Sequence, residues 1–168
     1  MSLSMSAVSI PVITAALKNL SHVLGKAEAH AEARKIDPAV LLGSRLFPDM
    51  LPLTRQVHIA TDIAKSCAAR LAGREPPVYE DTETTFTELQ ARIARTLEYI
   101  QGVPAAEIDS AESRTVTIKL RGEPVTFPAL TYLQYFVLPN VFFHCTTAYA
   151  ILRHNGVELG KGDFLGKP

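Results

Sequence analysis

The sequence predicts an all-α domain: a four-helix bundle with a short helix after helix 1 and a small β-hairpin between helices 3 and 4. Three observations predict it. Four segments of helical length carry apolar residues at three- and four-residue spacing. The connections between them are short or moderate. One stretch, "RTVTIKLRGEPVTF", alternates in period two on either side of Arg121-Gly122. At 168 residues the chain fits one domain, spanning 1–168, long enough to build a core without a disulfide or a structural metal.

The first helical segment runs from about Ile10 to Arg34, with Ile13, Leu17, Leu20 and Leu24 on one stripe and Pro11 suited to a first turn. Its alanine-rich second half, "GKAEAHAEARK", reads as an exposed end. Asp37-Pro38 is an N-cap followed by a first-turn proline, so a short helix is expected over 37–46, stopped before Pro48. The second long helix covers 52–72 and ends at Gly73. Its stripe of Val57, Ala60, Ile63, Ala64, Cys67 and Leu71 is rich in small residues and invites a close neighbour. Thr84 or Thr85 with Glu88 makes a capping box for the third helix, whose stripe is Phe86, Leu89, Ile93, Leu97 and Ile100. The fourth runs from about Pro128 to Asn155 and should kink at Pro139. Between the second and third helices about ten extended residues can span on the order of 33 Å, the length of a twenty-residue helix. A crossover that leaves those two helices parallel is therefore permitted.

Composition excludes several functions. Seventeen basic residues balance seventeen acidic ones, which removes the electrostatic footprint of a nucleic-acid binder. The N-terminus lacks the pattern of a secretory signal, and no apolar run is expected to reach the roughly 18 residues of a membrane span. A soluble cytoplasmic protein is expected. Cys67 and Cys145 are then reduced thiols. There is no phosphate-cradling glycine loop, nucleophile elbow or CxxC.

Polar residues inside the helical stripes carry what chemistry there is. Arg55, His58 and Asp62 share a face of helix 2, and Asn140 and His144 share a face of helix 4. If those faces meet, His58 and His144 begin a divalent metal site, for zinc or nickel, with Asp62 as a further ligand if it points inward. The plainer reading makes His144 a core histidine with a hydrogen-bond partner, and has Asn140 bond a carbonyl freed by Pro139. Tyr135 and Tyr149, with Phe136 and Phe143, would line a pocket between helices for a small apolar ligand. Cys145 points about 100° away from His144, so no thiolate–imidazole pair is implied. His22, His30 and His154 read as surface or helix-end residues.

"HCTTAYAILRHNG" in helix 4, "ARLAG" closing helix 2 and "GKGDFLG" in the tail resemble a bacterial family known as a domain of unknown function, within the DinB-like (YfiT-like) superfamily of metalloenzymes. The resemblance covers nearly the whole chain. It implies an up-down-down-up bundle and a homodimer. Metal-binding members of the superfamily carry one histidine on helix 2 and an HxxxH pair on helix 4. His144 matches the second histidine of that pair and His58 the helix-2 histidine, while Asn140 stands at the usual third-ligand position. That departure implies a degenerate metal site and no resident cofactor. The expected function is a dimeric small-molecule-binding or stress-related protein. The alternative is a metal-dependent thiol transferase or hydrolase using His58 and His144.

Overall fold

Helix α1 spans Met5–Arg34, opened by the Ser4 hydroxyl, which accepts from the Ala7 amide. It starts a turn earlier than the periodicity suggested, so Pro11 lies inside it. Its alanine-rich half is not simply an exposed end: Ala27 and Ala31 are buried and extend the core stripe of Ile13, Leu17, Leu20 and Leu24. Lys35, in the left-handed region at φ 55°, closes it. The Asp37 carboxylate then caps α2 (Pro38–Gly43), which stops three residues short of the expected 46. The structure, a computed structural model, describes residues 3–166.

Helix α3 (Leu53–Leu71) buries Val57, Ala60, Ala64, Cys67 and Leu71 of the expected stripe, with Ile63 half-buried against the core. The capping box at Thr85 and Glu88 forms as read and opens α4 (Phe86–Gly102). A short α5 (Ala105–Asp109) and one 3₁₀ turn (Ser110–Ser113) follow. Strands β1 (Thr115–Leu120) and β2 (Glu123–Pro128) pair antiparallel, from Thr115 opposite Pro128 to Leu120 opposite Glu123. Arg121 and Gly122 both take positive φ, 52° and 91°, the condition of a tight two-residue hairpin turn with the native twist. Val116 and Ile118 fix the hairpin by burying one face.

The last helical stretch opens as α6 (Ala129–Thr131), widens into a π-helical segment over Tyr132–Val137, and continues as α7 (Leu138–His154). Pro139 explains the widening. It has no N–H to donate to the preceding turn, and its ring crowds the carbonyl four residues back. The Asn140 side-chain amide donates to the Phe136 carbonyl at 2.6 Å, within the disturbed turn. Gly156, at φ 89°, ends the stretch, and the tail folds into α8 (Lys161–Leu165) against α1.

The molecule is mostly helical with one two-stranded hairpin. Helix α1 packs against α4 and α7, and α3 against the same two. Both α1 and the stretch Ala129–His154 are long and apolar enough by composition to cross a membrane, contrary to the expectation that no segment would be. In this fold their apolar faces meet in the core, where Leu17, Leu24, Val141, Ala148 and Ile151 are buried.

Candidate functional site

The polar face of α3 builds the densest ionic group among the described residues. Arg55, His58 and Asp62 do share a face, as their spacing requires. Against it lie Tyr79, Asp81 and Glu83 from the α3–α4 connection, and Arg92 from α4. Arg92 sits at a stripe position of α4, three residues after Leu89 and four before Thr96, so its guanidinium is carried into the interior: its side chain is 1% exposed. It is matched there group by group. Its Nε donates to Thr61 Oγ1 at 2.8 Å. Its Nη1 donates to the Glu80 carbonyl at 2.9 Å and faces Glu83 at 3.1 Å. Its Nη2 donates to Asp62 at 2.8 Å and lies 3.0 Å from Asp81. Lys65 adds a contact to Asp62 at 3.0 Å. The Tyr79 ring covers the group, with the Arg95, Lys65 and Arg92 cations 4.0, 4.9 and 5.3 Å from its centre.

His58 is buried in this network. Its Nδ1 faces Arg55 Nη1 at 3.3 Å and Asp81 at 3.7 Å, and Arg55 also pairs with Asp81. Its Nε2 lies 2.9 Å from Glu83 Oε2, yet the contact is out of line with the N–H direction and makes no hydrogen bond. Burial, then the Arg92 charge, hold the imidazole below its ordinary pKa of 6.5, against the opposing pull of Asp81 and Glu83. Asp81 feels the reverse balance. Partial burial raises its carboxyl, but Arg55, His58 and Arg92 together outweigh that and hold it below the usual range.

His144 lies elsewhere. Its Nδ1 is 2.7 Å from Gln56 Oε1. The Gln56 amide nitrogen donates to the Leu51 carbonyl at 2.9 Å, which fixes the amide orientation and presents oxygen to the imidazole. Nδ1 must therefore carry the proton and Nε2 the lone pair. Gln56 and His58 are two positions apart on α3, about 200° around the helix axis. The residue that holds His144 thus sits on the other side of α3 from His58. Burial alone keeps His144 below 6.5. Asn140, one turn before it, spends its amide on the Phe136 carbonyl. Asp62 turns to Arg92 and Lys65 rather than to either histidine.

His58 Nε2, Asp81 and Glu83 form a group whose ligand atoms all lie within 4.8 Å of one another. In donor type and reach this group can hold a divalent ion, and the unbonded, buried Nε2 favours one. The charge balance opposes it. Asp62, Asp81 and Glu83 already face Arg55, Lys65 and Arg92 in contact. Sequence reasoning missed Asp81, Glu83 and Arg92. The available signal was an arginine on the apolar stripe of α4, with the acidic run "YEDTE" just before that helix.

A second feature lies between α1, α7 and α8. Val12, Ala16, Leu20, Phe142, Cys145 and Phe164 line an apolar groove of about 300 Å³ that also takes in Ala15, Asn19 and Leu165. None of the four aromatic residues expected to line a pocket is on its wall. Tyr135 and Phe143 are exposed, Phe136 stacks on Tyr132 with centroids 5.7 Å apart, and Tyr149 packs edge-on against Phe164 at 5.9 Å. Cys145 sits on the groove as a neutral thiol, its pKa pushed up to about 12 by burial.

Two outcomes follow from the ionic group and the histidines. Arg92→Met should lower unfolding free energy by about 1–3 kcal/mol in urea titrations, because it leaves Glu83 without its arginine partner and takes one of two cations from Asp62 and Asp81. An unchanged midpoint would show the network to be idle. Both histidines bind protons less readily folded than unfolded, so stability is complete above pH 6.5 and falls as pH drops through 6.5 toward their folded values. The urea midpoint should therefore decline as pH falls below 6.5, with a shallower decline in His144→Gln.

The comparisons with known proteins agree with this architecture. The family described as "Domain of unknown function (DUF1993)" matches residues 5–165. The crystal structure of a DinB family member protein from Shewanella denitrificans is similar at 43% identity and a TM-score of 0.86, covering 97% of this chain and 92% of that one. No curated protein matches. The chain belongs to this family of unknown function and is a member of the DinB family.

Proposed function

We propose that this chain is a small-molecule-binding DinB-like protein, folded as an up-down-down-up four-helix bundle, whose family metal position has become a structural polar centre. The observation that carries the reading is the apolar groove between α1, α7 and α8. Its size falls at the lower end of the range for ligand sites, and its wall is apolar apart from Asn19 and the neutral Cys145 thiol. The side chains at the expected metal position support the same reading. His144 is engaged by Gln56, Asn140 by a carbonyl, and Asp62 by cations. Parallel α3 and α4 are supported by two contacts: Glu83, just before α4, reaches His58 in the first half of α3, and Arg74, just after α3, reaches Glu107 beyond α4. The reading places the protein in the cytoplasm as a homodimer. Exposed aromatic side chains such as Tyr135 and Phe143 support self-association.

A second reading is a metal-dependent thiol transferase or hydrolase using His58 and His144. It draws its support from the buried His58 Nε2 that makes no hydrogen bond beside Asp81 and Glu83. An ion held by those three would lower the pKa of a bound water or thiol. This reading requires near-stoichiometric metal in purified protein that is lost in His58→Ala.

The first reading is tested by thermal unfolding with a panel of apolar fragments, neutral and charged. A ligand that binds only the native state raises the midpoint by mass action. At least one fragment should raise it in the wild type and not in Ala15→Phe, which fills the groove from an exposed position. Equal shifts in both proteins would place ligand binding elsewhere.

A further inference from the structure

The groove is closed on one side by α8, and α8 is held in an unusual way. None of its residues is fully buried. Its hold is polar and local. Asp163 sits 2.9 Å from His22 Nε2 and 3.1 Å from Lys26 Nζ, two α1 residues on one face, and it also accepts from the Gly160 amide at 2.8 Å. Asn19 donates to the Phe164 carbonyl at 3.0 Å. Beyond these, Phe164 leans on Tyr149. The His22 and Lys26 side chains are well exposed, so their pairs with Asp163 are the screened, weak kind. Glycines at 156 and 160 flank the segment that joins α8 to α7, and Gly156 takes a φ of 89°. An element with a small apolar footprint and exposed ion pairs is drawn from the low-stability end of a fold.

The groove specifies its occupant by charge and size. No lining residue carries a charge: Cys145 is a neutral thiol, and the nearby Lys26, outside the lining, is paired with Asp163. A bare carboxylate or ammonium group entering this wall would lose hydration and find no counter-charge. At about 30 Å³ for each water-sized group, the volume admits on the order of ten non-hydrogen atoms.

We infer that this groove binds a compact, neutral, apolar molecule and that α8 is its flap, latched to α1 by Asp163. The inference rests on the small-molecule reading above and adds the ligand class and the gate. The test uses indole, a neutral bicycle of suitable size, and indole-3-carboxylate as its charged counterpart. Each is titrated into the full chain with amide chemical shifts recorded. Indole should move α1, α7 and α8 amides saturably and bind at least tenfold more tightly than the carboxylate. Ala15→Phe should abolish the shifts, and Asp163→Asn should raise the indole dissociation rate severalfold with the fold intact. Equal affinity for the carboxylate would overturn the ligand class while leaving the small-molecule reading standing. An unchanged dissociation rate in Asp163→Asn would overturn the flap. If no fragment in the panel moves these amides, both the reading and this inference fail. If instead Ala15→Phe converts a dimer to monomer and indole never binds, the occupant is a second copy of the chain.

Discussion

A buried guanidinium organises the centre of this protein. Arg92 is carried inside by the register of α4, and a charge without partners at that depth would be strongly destabilising. Each arm of the fork therefore meets an acceptor: a hydroxyl on α3, a carbonyl and carboxylates on the connection, a carboxylate on α3. Those partners come from two segments far apart in sequence. Satisfying one side chain thereby ties residues 80–83 to α3 and α4 at once. Hydrogen bonds to a planar fork are directional, so the arrangement sets register as well as contributing energy.

The same constraint decides what the histidines can do. His58 shares its face of α3 with Arg55 and Asp62, so it is drawn into the guanidinium network and kept neutral by burial and by Arg92. His144 meets α3 from α7 through Gln56, around the other side of the helix. Two imidazoles that spacing alone allowed to converge are assigned to separate polar sets. The disturbance made by Pro139 takes up the third candidate, since Asn140 bonds a carbonyl in the widened turn. What remains without internal use is the apolar groove, lined by α1 and α7 faces that the helix packing leaves uncovered and bordered by a lightly held α8.

The helices were legible because their signals are local. Asp37 before Pro38, the Thr85–Glu88 box and Arg121-Gly122 between alternating stretches each act within a few residues, and each forms as read. The early start of α1 was hidden by Pro11, which suits a first turn but is tolerated further in. The candidate site was less legible because its members are distant in sequence. Asp81 and Glu83 lie in a connection with no periodicity to orient them, and only their meeting with Arg92 and His58 gives them meaning. The DinB-like phrases in α7 and the tail identified the family from contiguous residues. They said nothing of the groove, whose wall is assembled from three helices.

The most direct measurement is anomalous diffraction at the zinc edge from crystals of the wild-type protein grown with excess zinc. The account predicts no peak within bonding reach of His58 Nε2, Asp81 and Glu83, with Arg92 keeping its contacts to both carboxylates. A well-occupied peak there, with the guanidinium displaced, would contradict it and make the polar centre a metal site.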